Sequence, residues 1–383
     1  MPELIFGPGS ADHFGQRVSA LGRHAYLVTG ANFLERSGHL ERIVDHLNKS
    51  GLKVLRCPIS GEPSPETIDA AVHAVGHKTV DIVVAVGGGS VLDAGKAIAA
   101  MLKEKGSVAD YLEGVGSKTP SGQSVPVIAL PTTSGTGSEA TKNAVISRVG
   151  AKGFKKSLRH DNYIPKVAIL DAQLCTSAPP SITAACGMDA LTQLIEAYVS
   201  SKASPLTDAL SLDGLKHLIP ALPEACGSGA SNLHCRGAVA YGAFLSGVTL
   251  AHAGLGVVHG VAGPLGGIVS IPHGVACANL LPAAVSKTVN ALRREGSEQS
   301  KAAIAKFSHI GRLFGSTHAV PVDSCRFLVD CLYELIEQFQ IPRMGQFGLT
   351  LDQVDQLVGS ASNKNNPLAL SGNQIRSVIL DRY

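Results

Sequence analysis

Tryptophan is absent from this chain of 383 residues, and other aromatic side chains are scarce, with ten Phe and seven Tyr. Charged residues make up only 16% of the sequence, and the formal net charge is +3. A surface that binds nucleic acid needs clustered Lys and Arg to follow the phosphates, and often aromatic rings to stack on bases. We therefore expect no nucleic-acid partner.

Paired cysteines are also lacking. The eight cysteines are scattered and none forms a CxxC pair, which argues against a zinc ribbon. The segment that starts at Met1 has no basic stretch followed by an apolar core, so it does not resemble a secretory signal. These features predict reduced thiols and a cytoplasmic protein.

No Asp, Glu, Lys or Arg occurs between Gly237 and Val285. That stretch is longer than a bilayer requires, but it is rich in Gly, Ala and Val and includes His252, Pro264 and Pro272. Because proline and histidine are costly in the middle of a membrane, we predict a buried core helix followed by a loop, and no membrane partner.

The first half of the chain alternates short apolar runs with helical patterns, which is typical of a doubly wound parallel α/β sheet. After Pro179 and Pro180 the runs become long, rich in Ala and Leu, and helical in period. We predict an α/β domain over 1–179 and an all-α domain over 180–383. The predicted strands are 24–30, 52–57, 81–86, 125–131 and 167–171.

Gly87, Gly88, Gly89 and Ser90 follow the third predicted strand and open a helix. Glycines let the backbone approach a ligand closely, and a helix N-terminus favours phosphate. The triplet matches neither of the common phosphate-loop motifs, so a tight turn without a ligand stays an alternative. A second loop, rich in hydroxyls and Gly, spans 131–141. Because the carboxyl ends of parallel strands meet at one edge of the sheet, the two loops together predict a nucleotide site.

Two histidines, His259 and His273, lie in the uncharged stretch, where an unpaired imidazole would cost about 1–3 kcal/mol. A metal ion is a partner that would also provide chemistry. Asp189 and Gln193 lie four residues apart on a predicted helix and share one face. These four side chains form a candidate divalent metal site, with Gln193 as a weak amide ligand. The alternatives are buried histidines with protein partners, and an Asp189 that complements the helix dipole.

Several long motifs together resemble those of the iron-containing (group III) alcohol dehydrogenases, over essentially the whole chain. They are FGPG at 6–9, GGGS at 87–90 with Asp93 and Lys96, PTTSGTGSEAT at 131–141, GMDALTQLIEAYVS at 187–200, GLGVVHGVAGPLGGIVSIPHGVACANLLP at 254–282, and Asn366-Pro367. The resemblance implies a Rossmann-like N-terminal domain, a helical C-terminal domain in a dehydroquinate synthase-like architecture, and a site in the cleft between them.

The resemblance also implies hydride transfer between NAD or NADP and an alcohol/aldehyde pair, assisted by one divalent metal, Fe or Zn. It assigns the metal to Asp189, His259 and His273, and the two histidines to the catalytic site. The positions that it assigns to the cofactor are Gly30, Gly87, Gly88, Gly89, Ser90, Asp93, Thr132, Thr133, Thr141 and Lys155.

Two positions depart from the family pattern near the metal. The family uses one Asp and three His, and Gln193 replaces the third His. The related glycerol dehydrogenases have one Asp and two His, commonly around zinc, so a three-ligand site fits the resemblance. Gly263 replaces a further His that is thought to relay protons. His252 lies seven residues before His259, so on a continuous helix it would face the same way and could act as the relay. A packed helix histidine is the alternative.

Gly30 ends the first predicted strand, where NAD-preferring relatives often carry an Asp that pairs with the ribose hydroxyl and repels a 2′-phosphate. Glycine removes that repulsion, which allows NADP and favours it. Because NADPH in cells usually acts as a reductant, we expect an aldehyde reductase. The resemblance also implies a homodimer or a larger oligomer, since relatives are commonly dimers or larger. Two other functions stay open. One is a metal-independent or repurposed reductase of an aldehyde with a phosphonate, sulfonate or carboxylate group, for which Gly263 would leave space. The other is a nucleotide-binding pseudoenzyme.

Overall fold

The computed structural model describes residues 1–12, 14–150 and 153–383. Within these ranges the strands are β1 (Glu3–Phe6), β2 (His24–Gly30), β3 (Lys53–Ile59), β4 (Ile82–Gly87), β5 (Val127–Pro131), β6 (Asn143–Arg148), β7 (Phe154–Arg159) and β8 (Val167–Leu170). The helices among the strands are α1 (Gly15–Ser19), α2 (Phe33–Arg36), α3 (His39–Lys49), α4 (Pro65–Val75) and α5 (Gly89–Met101). The later helices are α6 (Pro180–Val199), α7 (Pro205–Ala225), α8 (Leu233–Ala253), α9 (Val257–Ile268), α10 (His273–Glu295), α11 (Glu298–Leu313), α12 (Pro321–Gln338), α13 (Leu351–Ser360) and α14 (Gly372–Asp381).

Six strands form one sheet in the order β1–β8–β5–β4–β2–β3, and every neighbouring pair is parallel. The five strands predicted from the sequence all lie in this sheet, so the parallel α/β fold is confirmed. Sequence patterns do not indicate β1, because this short edge strand is half exposed and its residues do not alternate between buried and exposed. They also miss β6 and β7, which form a separate two-stranded sheet.

Helices cover both faces of the large sheet. Val84 of β4 belongs to a buried apolar cluster that includes Leu40 and Leu47 of α3, whereas the next residue, Ala85, belongs to a cluster with Leu92 of α5. Successive residues of a strand point to opposite faces, so α3 and α5 lie on opposite sides of the sheet. This is the predicted doubly wound arrangement.

The strand order reverses at β2, because β3 lies on one side of it and β4 on the other. Ligands of open α/β sheets bind outside the carboxyl ends of the strands at such a switch point. β2 ends at Gly30 and β4 ends at Gly87, and the register pairs Thr29 with Val86. Two positions that the sequence assigned to the cofactor therefore end neighbouring strands at the switch point.

From α6 onward the described chain is helical, which confirms the predicted all-α character of the later part. α10 is central and packs against α6, α9, α11, α12 and α14. The prediction of a loop after the core helix of the uncharged stretch is wrong, because α9 and the start of α10 occupy that region. Pro264 lies inside α9 and Pro282 inside α10. Burial of the apolar faces of these helices outweighs the hydrogen bond that each proline removes.

The chain folds into two compact units, here called the sheet unit and the helical unit. The sheet unit comprises Met1–Arg148, Lys155–Ala178 and Ser231–Ala240, and the helical unit comprises Val149–Phe154, Pro179–Ala230 and Tyr241–Tyr383. Among the described residues, no single helix has the length and apolar composition needed to cross a membrane. The helices α8 and α9 meet that test only as a pair, which is bent by 100°.

Candidate functional site

Three helices of the helical unit bring the predicted metal ligands together. Asp189 lies in the middle of α6, His259 lies in the first turn of α9, and His273 is the first residue of α10. Asp189 Oδ1 is 3.2 Å from His259 Nε2 and 3.9 Å from His273 Nε2. The carboxylate and the two imidazoles that the sequence singled out therefore converge on one point.

Glycines that follow the histidines permit this approach. A Cβ on Gly260 would overlap with the carbonyl oxygen of Ser362, and a Cβ on Gly274 would overlap with the carbonyl oxygen of Ala185. Gly274 thus lets the first turn of α10 lie directly against α6, one turn before Asp189. The glycine content of this stretch reflects close backbone packing around the site.

Cys277 completes the cluster, and sequence reasoning missed it. Its Sγ lies 3.7 Å from His259 Nε2 and 3.8 Å from His273 Nε2. The thiol is fully buried, whereas the side chains of His259 and His273 are 12% and 24% exposed. The cluster is therefore closed at Cys277 and accessible beside His273. The available signal was the four-residue spacing from His273, which becomes informative only when a helix is known to begin there.

Glu196 holds His259 in place. It lies seven residues after Asp189 and so on the same face of α6. Its carboxylate accepts hydrogen bonds from the backbone N–H groups of Val258 at 2.7 Å and His259 at 3.4 Å, and it lies 2.7 Å from His259 Nδ1. This leaves Nε2 of the ring directed at Asp189. A carboxylate behind a ligating imidazole is common in metal sites, and the spacing from Asp189 was the overlooked signal.

Electrostatics within the cluster favour a charged pair. Burial would raise the pKa of Asp189, but His273 and His259 outweigh that effect and lower the pKa. Burial would lower the pKa of His259, but Cys277, Asp189 and Glu196 raise it well above its ordinary value. Burial raises the pKa of the Cys277 thiol to about 11. The ionised Asp189 thus faces the His259 ring, and a proton on Nε2 of that ring must leave before a metal binds there.

The donor set fits a divalent transition metal. The ligand atoms of Asp189, His259, His273 and Cys277 all lie within 4.8 Å of one another. Carboxylate oxygen and imidazole nitrogen are ligands of catalytic zinc and iron sites. Gln193, predicted as a weak ligand, is buried, and its amide oxygen accepts a hydrogen bond of 2.6 Å from the Ser246 hydroxyl. That bond commits one lone pair of the amide oxygen to the protein itself.

The structure removes the geometric argument for His252 as a proton relay. The argument needs one continuous helix from His252 to His259. Instead, α8 ends at Ala253, α9 begins at Val257, and the two helices are bent by 100°. His252 is exposed near the end of α8. At Gly263 a Cβ would have nothing within 4 Å, so α9 has open space one turn beyond His259.

In the sheet unit, the two polar loops lie side by side, as expected for the neighbouring strands β4 and β5. A Cβ on Gly88 would lie 3.1 Å from Thr133 Oγ1, and a Cβ on Gly89 would lie 2.6 Å from Thr136 Cγ2. A side chain at position 89 would require the Thr136 side chain to shift. The first turn of α5 begins here, and its leading backbone N–H groups are suited to an anion.

Thr132 and Gly30 lie at the same edge. Thr132 donates its backbone N–H to the carbonyl oxygen of Gly87 at 3.0 Å, which ties the two loops together. A Cβ on Gly30 would lie 3.8 Å from Val91 Cγ2 in the first turn of α5, which is an ordinary contact. Position 30 is therefore close to the glycine loop and has room for a larger side chain.

Asp93 and Thr141, both assigned to the cofactor from the sequence, surround the fully buried Lys96. Lys96 Nζ lies 3.2 Å from Asp93 Oδ1 and donates to Thr141 Oγ1 at 3.1 Å and to the carbonyl of Ser138 at 2.9 Å. Burial lowers the pKa of Lys96, and burial raises the pKa of nearby Glu139 to about 7. This network joins the 131–141 loop to α5, a role that the sequence motifs did not reveal.

Ser90 and Lys155, two further cofactor positions, meet through Glu62. The Ser90 hydroxyl donates to Glu62 Oε1 at 2.9 Å, and Lys155 Nζ lies 3.3 Å from Glu62 Oε2. Glu62 is exposed. Because Glu62 is the exposed partner, the ion pair is screened by water on that side, and the largely buried Lys155 can pair with another anion.

Two family descriptions match this chain. They are "Iron-containing alcohol dehydrogenase" over residues 2–172 and "Fe-containing alcohol dehydrogenase family, C-terminal" over residues 183–383. The chain belongs to the iron-containing alcohol dehydrogenase family. Long-chain-alcohol dehydrogenase 1 of Geobacillus thermodenitrificans is 35% identical over 367 residues, which are 95% of this chain and 90% of that protein. The resemblance inferred from the motifs is confirmed.

Solved structures of this family share the fold. A 1,3-propanediol oxidoreductase superposes with a TM-score of 0.88 at 28% identity, covering 100% of this chain and 98% of that one. A sulfoacetaldehyde reductase from Bifidobacterium kashiwanohense, solved with NAD+, superposes with a TM-score of 0.84 at 27% identity, covering 100% and 96%. This family member is an NAD(P)-dependent oxidoreductase that acts on CH–OH groups, and the family works with a metal ion.

Proposed function

We propose that this oxidoreductase reduces small aldehydes with NADPH, and that Asp189, His259 and His273 hold its divalent metal. The observation that carries the proposal is the convergence of their donor atoms, with Asp189 Oδ1 3.2 Å and 3.9 Å from the two imidazole nitrogens. A bound metal polarises the substrate carbonyl, and the nicotinamide cofactor supplies the hydride.

The residues of this chain prepare the site for that chemistry. The buried carboxylate of Asp189 supplies negative charge against the metal. Glu196 fixes the His259 ring from behind, so less conformational freedom is lost when the metal binds. Because His273 is the more exposed imidazole, we expect substrate to approach beside it.

The cofactor is proposed to bind at the edge formed by Gly87, Gly88, Gly89 and Ser90, with the other positions assigned above around it. NADPH is favoured by Gly30, because β2 ends there without a carboxylate that would repel a 2′-phosphate. The NAD+ complex of the sulfoacetaldehyde reductase indicates that NADH is the competing cofactor.

The test is oxidation of NADPH by the purified protein in the presence of a panel of small aldehydes. We expect turnover that disappears on chelation and returns with zinc or iron. Full activity of a metal-free preparation would exclude metal assistance. Cofactor binding without turnover of any aldehyde or alcohol would favour the nucleotide-binding pseudoenzyme.

A reductase of aldehydes with an anionic group is the second candidate. Its support is the open space at Gly263, one turn beyond His259, and the likeness to a sulfoacetaldehyde reductase. A kcat/KM at least tenfold higher for sulfonate-, phosphonate- or carboxylate-bearing aldehydes than for uncharged ones would select it. Retained turnover in Asp189→Ala would add that the reaction is metal-independent.

We further propose a homodimer or larger homo-oligomer in the cytoplasm, with domains divided at 179/180. The reduced cysteines expected from the sequence support the cytoplasm. The family matches over 2–172 and 183–383 support the division at 179/180, and the likeness to the family supports the oligomer. Light scattering coupled to gel filtration measures the oligomer. His252 stays a relay candidate, to be tested by His252→Ala, although the break between α8 and α9 removes the argument that it faces His259.

A further inference from the structure

We propose that the Cys277 thiolate is a fourth ligand of the metal, that it takes the place of the histidine replaced by Gln193, and that the resulting site prefers zinc to iron. The inference rests on the metal-dependent function proposed above. It concerns which atoms of this chain bind the ion.

Four of the six distances among the donor atoms are close to those around a tetrahedral ion. Zinc bonds of about 2.0–2.1 Å to nitrogen and oxygen and about 2.3 Å to sulfur place the ligand atoms about 3.3–3.6 Å apart. In the cluster, Asp189 Oδ1 lies 3.2 Å and 3.9 Å from the two imidazole nitrogens. Cys277 Sγ lies 3.7 Å and 3.8 Å from the same nitrogens. All four donor atoms lie within 4.8 Å of one another, so movements of the side chains alone would bring them around one ion.

The position of Cys277 is fixed by the helix that carries it. It lies one turn after His273 on α10, so the two side chains share a face. The thiol is fully buried and unbridged, and its sulfur lies against both imidazoles instead of purely apolar neighbours.

Gln193 is held by a different partner. Its amide oxygen accepts a hydrogen bond of 2.6 Å from Ser246 on α8. To bind a metal, this neutral amide would have to share its oxygen with the Ser246 hydroxyl. A thiolate offers a full negative charge instead, and its proton is released to solvent when the metal binds.

The softness of the donor decides the metal preference, because Zn(II) and Fe(II) carry the same charge. Among the direct ligands, Asp189 and two neutral imidazoles leave a divalent ion with a net charge of +1, and the Cys277 thiolate reduces this to zero. Thiolate ligands favour zinc over Fe(II), which also lies lower in the general affinity order. Zinc accepts a fifth ligand in catalytic sites, so four protein donors are compatible with turnover.

The deciding experiment is X-ray absorption at the zinc edge of the wild-type protein after stripping and reloading with zinc. We expect one sulfur neighbour at about 2.3 Å. In Cys277→Ser the sulfur signal should vanish and zinc affinity should fall by about 100-fold, since an anionic ligand is lost. Cys325→Ser is the matched control. Cys325 is equally buried in α12 and its Sγ lies 3.6 Å from the carbonyl of Ile304, so this variant should keep both properties.

Two further measurements keep the proposal separate from the proposed function. Competition between equal Fe(II) and Zn(II) should load wild type with zinc, and Cys277→Ser should reduce that preference. Gln193→His in the Cys277→Ser background should restore affinity without restoring sulfur ligation. Only nitrogen and oxygen neighbours in wild type, together with metal-dependent turnover, would overturn the thiolate ligand and leave the function standing. If Cys277→Ser does not fold, the wild-type spectrum still decides.

Discussion

The candidate metal cluster of the helical unit and the glycine loops of the sheet unit (87–90 and 131–141) would bind their ligands with different groups, side chains in the first and backbone in the second. In the cluster, side chains from α6, α9 and α10 direct their donor atoms at one point, and each donor comes from a different turn of helix. At the glycine loops, the start of α5 presents backbone N–H groups. The charged side chains nearby, Asp93 and Lys96, are already paired with each other.

The difference follows from the two ligands. A metal ion is a point charge that needs a few anionic or polarisable atoms at short range. A dinucleotide is a large anion whose phosphates can be held by many backbone N–H groups. We therefore expect the metal site to depend on single side chains, and the cofactor site to depend on the shape of the backbone.

The largest effect is expected from Asp189→Ala. Loss of the buried carboxylate should remove the metal and lower kcat/KM by about 10³-fold or more, because metal polarisation contributes several kcal/mol. Binding of NADPH, measured by fluorescence titration, should change less than about threefold, since no backbone at the loops is altered. Asp330→Ala, an exposed aspartate of α12, is the control. Equal loss of metal and cofactor binding would show that the two regions are not independent.

The reverse experiment is Gly89→Ala. The new methyl group would lie 2.6 Å from Thr136 Cγ2 and must displace the Thr136 side chain of the neighbouring loop, so the Kd for NADPH should rise by about 10- to 100-fold. Metal content by elemental analysis should stay at the wild-type value. Gly359→Ala in α13, where a Cβ would meet nothing within 4 Å, should leave cofactor binding unchanged. Normal NADPH affinity in Gly89→Ala would contradict the expectation that the cofactor site depends on the shape of the backbone at these loops.

A smaller effect is expected at the end of β2. Gly30→Asp has room beside Val91 and places a carboxylate where a 2′-phosphate would lie. The ratio of kcat/KM for NADPH to that for NADH should fall by about tenfold or more through charge repulsion. Steady-state kinetics with both cofactors measure this. An unchanged ratio would show that position 30 does not select the cofactor.

The smallest effect is expected from Glu139, a buried acidic residue of the 131–141 loop. Burial raises the pKa of Glu139 from its ordinary value of 4.5 to about 7, so the folded state holds its proton more tightly than the unfolded state. Stability should therefore fall as the pH rises from about 4.5 through 7. Glu139→Gln should unfold at a higher temperature than wild type at pH 8, by a few degrees, and at a similar temperature at pH 4. Exposed Glu298→Gln should show no such difference, and a Glu139→Gln profile parallel to wild type would contradict the structural role.

Prediction from the sequence succeeded where a local pattern carries the information. The apolar runs that became β2, β4 and β5 are continuous, and the break at Pro179–Pro180 coincides with the start of α6. His259 and His273 stood out as polar side chains in an uncharged, glycine-rich stretch, and Asp189 through its helical spacing from Gln193 and the family resemblance. The fold class, the family and these three residues therefore came from sequence alone, whereas the role of each at the site stays a proposal.

Prediction failed where contacts between distant segments decide. The stretch after α8 appeared to be a loop because Pro264 and glycines lower helix propensity, yet packing against α10 and the segment around Ser362 makes it helical. Because the helix that begins at His273 was not predicted, Cys277 was not recognised as lying one turn away on the same face. The assumption of one continuous helix gave His252 a shared face with His259 that the bend between α8 and α9 removes.

The sequence by itself determined the parallel sheet, because periodicity and residue type are local properties, and its motifs and family resemblance singled out the glycine loops and the side chains of Asp189, His259 and His273. Only the tertiary structure decided which partners those groups have. Glu196 stands behind His259, Ser246 binds Gln193, and Cys277 lies against both imidazoles. Each of these contacts joins residues on different helices or different turns, and their distances are set by how the helices pack.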